Sequence, residues 1–224
     1  MYQLQLVPKR DCTLASYLES RGLAHVQFAR AIGRAYTEEV TYERILFALL
    51  STNTAFDATC EAFRIVCRAQ EPKVDWTCDV SLSDILSSVR TERGQTVAFP
   101  NVKARDIVDF TRRFDSHPSE FVLQDNENAS QWRARVSIRG LAYMKLSFAG
   151  ALLAPETADT ICVDRHIQRF LYGRETRAVN TTAYTRAEES LARVGARYGM
   201  GAFVTQWTIW DWLRAKEEPH DILV

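Results

Sequence analysis

A lysine and an aspartate nineteen positions apart, Lys145 and Asp164, are the residues of this sequence best placed to do chemistry. Lys145 closes the stretch Arg139-Gly140-Leu141-Ala142-Tyr143-Met144-Lys145, and Asp164 stands in Val163-Asp164-Arg165-His166. An amine attacks electron-poor carbon, and a carboxylate beside it can orient the amine and offset positive charge on a sugar or imine. The chain between them can turn back. From Lys145 to Ala154 a helix would run roughly 15 Å, and residues 155–163 could span up to about 30 Å if extended. A solvated lysine and a helix-capping aspartate at this spacing also arise by chance. Asp164 suits the N-cap of a helix holding His166 and Arg169, and capping is compatible with catalysis. His166 reads as a packed, hydrogen-bonded support.

The surroundings of Lys145 are basic. Residues 131–154 contain Arg133, Arg135, Arg139 and Lys145 and no acid, whereas Glu217, Glu218 and Asp221 crowd the last eight positions. Over the whole chain 28 basic and 28 acidic residues cancel, which excludes an indiscriminate nucleic-acid coat. A local cationic face still suffices for phosphate contacts. With 46% hydrophobic and 25% charged residues the chain is globular, not disordered. Its longest apolar runs, 45–50 and 148–154, are too short to cross a bilayer. The first seven residues do not read as a secretion signal. The expected location is cytoplasmic, with no membrane partner. Five scattered cysteines (Cys12, Cys60, Cys67, Cys78, Cys162) contain no CxxC pair, so they read as small buried hydrophobes, not as disulfides or zinc ligands. His25, His117, His166 and His220 show no metal-ligand spacing, and neither metal nor cofactor is expected.

Helical periodicity runs nearly throughout and must position these groups. Thr41 is the expected cap of a segment with Ile45, Leu46, Leu49 and Leu50 on one face. After Ser51-Thr52-Asn53-Thr54 comes a helix over 56–68, with Ala58, Ala62, Ile65 and Val66 apolar. A short helix over 82–89 takes Ser81 or Ser83 as cap. Asn101 caps another, with Val102, Ile107, Val108, Phe110 and Phe114 as an inward stripe. Helices follow over about 164–172, stopped by Gly173, from Thr181 or Thr182 to about 197, and over 202–216. Trp207 and Trp210 are spaced for a buried face. The fold class is all-α, with about ten helices.

Four blocks resemble the helix-hairpin-helix DNA glycosylase superfamily, the endonuclease-III-like and oxoguanine-glycosylase-like enzymes. Ile45-Leu46-Phe47-Ala48-Leu49-Leu50-Ser51-Thr52-Asn53-Thr54 is similar to its "LLSxQT" helix end, and Asn101-Val102-Lys103-Ala104-Arg105-Asp106-Ile107 to its "NxKAxxI" helix start. Ile138-Arg139-Gly140-Leu141-Ala142-Tyr143-Met144-Lys145 falls where its "LPGxGxK" hairpin belongs, and Val163-Asp164-Arg165-His166-Ile167-Gln168-Arg169 resembles "VDTHxxR". The resemblance covers residues 41–172. It implies a two-lobed fold: a helical barrel lobe over about 41–140, a second lobe from about 1–40 and 150–224, and the hairpin near 136–150 between them. It also implies a monomer acting on double-stranded DNA. Lys145 would attack the sugar C1′ and form a Schiff base, Asp164 would activate it, and strand scission would follow by β-elimination. Gly140 and Ala142 would meet phosphate through backbone amides, helped by Arg133, Arg135 and Arg139. The target base must be extruded. Asn53 stands where the family places a polar residue near that site, and Tyr143, Met144 and His166 are candidates for pocket or wedge.

Departures from the motif are specific. Arg139 replaces the hairpin proline, Ala142 its second glycine, and Arg165 the usual threonine; Lys145 stands one residue late. No cysteine follows Cys162, so no iron–sulfur cluster is expected. The same departures resemble bacteriophage relatives of this fold thought to act in thymine hypermodification, which would put the protein in a host cytoplasm. Three readings follow: a bifunctional glycosylase/lyase on a damaged or modified base, a transferase joining an amine to an activated 5-hydroxymethyluracil, and a non-catalytic DNA-binding module.

Overall fold

A computed structural model describes residues 13–69, 79–173 and 180–215. Among them are ten α-helices and no strand: α1 (Leu14–Ile32), α2 (Glu38–Leu50), α3 (Phe56–Ala69), α4 (Asp79–Ser88), α5 (Pro100–Ser116), α6 (Ala129–Arg135), α7 (Tyr143–Leu153), α8 (Arg165–Tyr172), α9 (Thr181–Ala196) and α10 (Ala202–Ala215), with a 3-10 turn at Pro118–Glu120. The chain forms two compact units. One comprises Ala35–Glu127 and Gln131–Ala149, and so contains the hairpin; the other comprises Met1–Arg34, Asn128–Ser130 and Gly150–Val224. Cys12, Cys78, His220 and the acids Glu217, Glu218 and Asp221 lie outside the described residues.

In the hairpin unit, α2 is capped by Thr37, whose side chain accepts from the Val40 amide at 3.2 Å, with Glu38 and Glu39 in the first turn. Thr41, the cap expected from the sequence, is instead fully buried one turn in, and its hydroxyl has no hydrogen-bond partner among the described residues. α5 opens at Pro100 after Phe99, so Asn101 lies inside the helix, where its side chain accepts from Ser83 Oγ. α4 spans Asp79–Ser88, which puts Ser81 and Ser83 within it. The core is aromatic. Phe110 stacks on Tyr42 at 5.3 Å and meets Phe121 edge-on at 5.4 Å, and Phe114 stacks on Phe121 at 5.6 Å. Val102 departs from the inward stripe: it is 45% exposed and lines a surface cavity, while Lys103 and Ala104 beside it are buried. Cys60 and Cys67 are half-buried on α3, and burial, with Glu43 nearby, pushes the Cys67 thiol up to about 11.

In the second unit α10 packs against α1, α8 and α9. Gly195 permits the α9–α10 approach: a Cβ there would lie 2.0 Å from Thr205 Oγ1 and 2.6 Å from the Met200 carbonyl. Trp207 packs on Phe28 of α1 and on Phe203. Buried Asp211 accepts from His25 Nε2 at 3.1 Å and from the Tyr17 hydroxyl at 3.3 Å, tying α10 to α1. α9 opens at Thr181, where the sequence puts its start, and is capped by Asn180, which accepts from the Ala183 amide.

Candidate nucleic-acid interface

The hairpin links α6 to α7 through a turn whose geometry one glycine permits. Gly140 has φ +85°, and a Cβ on it would sit 2.6 Å from Asp106 Oδ2. A side chain there would be strained and obstructed together. Asp106 of α5 also pairs with Arg139, Nε to Oδ1 at 3.0 Å, so one carboxylate lies against two successive hairpin residues. Ala142 is exposed, and its carbonyl takes the Lys145 and Leu146 amides that begin α7. The first amides of a helix have no partner within it, and with the helix dipole they favour an anion.

The three hairpin arginines have different duties. Arg139 is half exposed. Arg133 is buried, donating to Ser147 Oγ at 2.7 Å with its guanidinium 4.2 Å from the Tyr143 ring centroid. Arg135 grips both carboxylate oxygens of Glu127, at 2.8 and 2.7 Å, and donates to the Glu120 and Val122 carbonyls. That hydrogen-bonded carboxylate raises the Arg135 pKa. Arg133 and Arg135 thus hold α6 to its surroundings, which leaves Arg139 as the hairpin arginine turned towards solvent. Trp132 is fully buried, its indole N–H donating to the Phe121 carbonyl at 2.7 Å.

Lys145 projects from the first turn of α7 onto the end of α2. Its Nζ donates to Ser51 Oγ at 2.9 Å and lies 5.1 Å from the Phe148 ring centroid. Ser51 donates its own proton to the Ala48 carbonyl at 2.7 Å, so towards Lys145 it acts as acceptor. Beyond Ser51, Asn53 is exposed with a left-handed backbone, φ +53°. Phe99, just before α5, has φ +54° and is 65% exposed. Thr52, Asn53, Phe99, Lys103, Asp106 and Gly140 line a cavity of about 200 Å³. Lys103 is 5% exposed; its Nζ donates to the Leu49 carbonyl at 3.3 Å and to the Thr52 carbonyl. Burial first, then the Lys145 ammonium, lower its pKa to about 7, against a smaller opposing pull from Asp106. Tyr143 is 38% exposed, and Met144 is half-buried in the first turn of α7.

Asp164 belongs to the second unit. It is the N-cap of α8, with Oδ1 accepting from the His166 and Ile167 amides, each at 2.9 Å. Its other oxygen has no hydrogen-bond partner among the described residues. The extended segment before it is held by side chains of α9 and α10. Glu188 accepts from the Ile161 amide, Gln206 from the Cys162 amide, and the Tyr184 hydroxyl bridges the Ile161 carbonyl and the Val163 amide. His166 is half-buried beside the cap.

Ser51, Phe99, Lys103 and Asp106 escaped the sequence reading as site candidates. Phe99 carried a legible signal, since an aromatic before Pro100 and a helix start is poorly placed for a core. The burial of Lys103 carried none, because it depends on the end of α2 reaching over α5.

No family model and no curated protein matches the sequence. Solved structures do resemble the fold. An 8-oxoguanine glycosylase/lyase of Methanocaldococcus jannaschii, in complex with a 15mer DNA containing 8-oxoguanine, aligns with a TM-score of 0.65 at 18% identity, over 86% of this chain and 89% of that one. An 8-oxoguanine DNA glycosylase of the same organism aligns with a TM-score of 0.64 at 17% identity, over 90% of this chain and 88% of that one. The all-α arrangement of these helices is therefore the helix-hairpin-helix DNA glycosylase fold that the four sequence blocks resemble.

Proposed function

We propose that the protein is a DNA-base enzyme, an N-glycosylase/lyase acting as a monomer on duplex DNA, with Lys145 as nucleophile and Asp164 as its carboxylate partner. The observation that carries this reading is the Lys145–Ser51 contact, an amine of α7 docked on the polar end of α2 beside the Gly140 hairpin, in a fold shared with 8-oxoguanine glycosylases. The neutral amine attacks C1′ of an extruded nucleotide. The bond from C1′ to the base breaks and the base leaves with its electron pair and a proton. Opening of the sugar ring gives an imine on Lys145, and loss of the C2′ proton expels the 3′ phosphate. Asp164 takes the proton released by the attacking amine and offsets the positive charge that develops. The amides at Gly140 and Ala142, with Arg139, contact backbone phosphate. Exposed Asn53 and Phe99, both held in left-handed backbone, fill the gap left by the extruded base.

Incubation with duplexes bearing single damaged or modified bases tests this by mass spectrometry. Free base and a cleaved strand are expected with the native protein and neither with Lys145→Ala. A base of altered mass still joined to its sugar would replace the glycosylase reading with base-transferase chemistry.

A further inference from the structure

Lys103 is a buried amine for which the proposed reaction has no use. A lysine that only capped α2 would be expected to stay charged, since the helix C-terminus favours a cation. Here burial and the neighbouring Lys145 ammonium oppose that charge, so near pH 7 a large share of the amine is neutral. A neutral amine has two protons and one lone pair. Two acceptors, the Leu49 and Thr52 carbonyls, engage the protons. The lone pair takes no part in those two contacts, and Lys103 is among the residues lining the cavity. That cavity holds about 200 Å³, its rim carries exposed apolar Phe99 and Val102, and its polar wall includes Asp106 and Asn53. A nucleophile, a carboxylate and a sheltered volume are thus assembled outside Lys145.

We infer that Lys103 and its cavity form a second carbonyl-binding site, in which the Lys103 amine captures an aldehyde as an imine. Nζ adds to the carbonyl carbon, the oxygen takes up a proton as the nitrogen loses one, and loss of water from the carbinolamine gives the imine. Nothing is oxidised or reduced. Asp106 offsets the charge of the protonated imine. The aldehyde can be a free small molecule or the ring-opened sugar of an abasic site; only the second source rests on the glycosylase reading.

The chain has five lysines, Lys9, Lys73, Lys103, Lys145 and Lys216, so peptide mapping separates them. Full-length protein is treated at pH 7 with propionaldehyde and cyanoborohydride, and separately with abasic-site duplex and borohydride. Alkylation of Lys103 is expected at least about ten-fold faster than that of Lys9 or Lys216, because an ordinary lysine is almost wholly protonated at this pH. Its rate should level off just above pH 7. Lys103→Arg, which keeps donors for the two carbonyls, should abolish the adduct at this position while the melting temperature stays within a few degrees. An adduct at Lys103 only with propionaldehyde assigns the site to free aldehydes, and one only with DNA assigns it to abasic sugar. No adduct at Lys103 in either arm overturns the inference. A DNA adduct at Lys145 would still support the glycosylase reading in that event, so the two proposals fail separately.

Discussion

The two lysines at the end of α2 differ in how much water reaches them, and that difference sets measurable behaviour. Lys103 has its folded pKa lowered to about 7 from an ordinary value above 10. Between those two values the unfolded chain binds more protons, so this residue makes stability rise with pH across that window and contributes no slope below it. Urea denaturation from pH 7 to 9 should therefore show a positive slope, of up to about 1.4 kcal/mol per pH unit from this group. Lys103→Met should flatten it. Ser51 acts on Lys145 through one hydrogen bond. Ser51→Ala should slow single-turnover base release by about ten-fold, the scale of one such bond, with DNA affinity unchanged and recovery in Ser51→Thr.

Elements show where sequence reading works and where it stops. The α8 start was legible because an Asp cap is a local event: the Asp164 carboxylate reaches amides two and three residues on. Gly173 ended the same helix by an equally local device, a left-handed residue. Thr37 and Thr41 were not separable in this way, since each is a threonine near acids and only tertiary burial of Thr41 decides between them. The Lys145–Ser51 contact joins residues 94 apart, and no periodicity announces it. The strap before Asp164 is likewise tertiary. Tyr184→Phe leaves the Ile161 carbonyl and Val163 amide without their shared hydroxyl, at a cost of about 1–3 kcal/mol in urea unfolding, and should reduce base release by displacing Asp164. His25→Ala removes one of the two donors to buried Asp211 described above, which should cost about 1–3 kcal/mol by the same assay.

At the scale of the whole molecule, zero net charge means that the DNA contact proposed above has to be local. Arg133 and Arg135 are engaged by neighbouring groups of the protein, and Arg139, although paired with Asp106, is the most exposed of the three. The slope of log affinity against log salt should therefore be shallow, about −1 to −4, corresponding to one to four neutralised phosphates. Arg139→Ala should reduce its magnitude by about 1. Arg135→Ala should leave the slope unchanged and lower the melting temperature. The most direct test of the central claim, that Lys145 is the nucleophile served by Asp164, is borohydride trapping on duplex DNA containing an abasic site or a substrate base. A covalent adduct that maps to Lys145, disappears in Lys145→Ala and falls at least about a hundred-fold in rate in Asp164→Asn, as loss of a positioned acid–base group should cause, is the expected result. An undiminished adduct at Lys145 in Asp164→Asn, or no adduct at Lys145 with any substrate that the native protein processes, would contradict it.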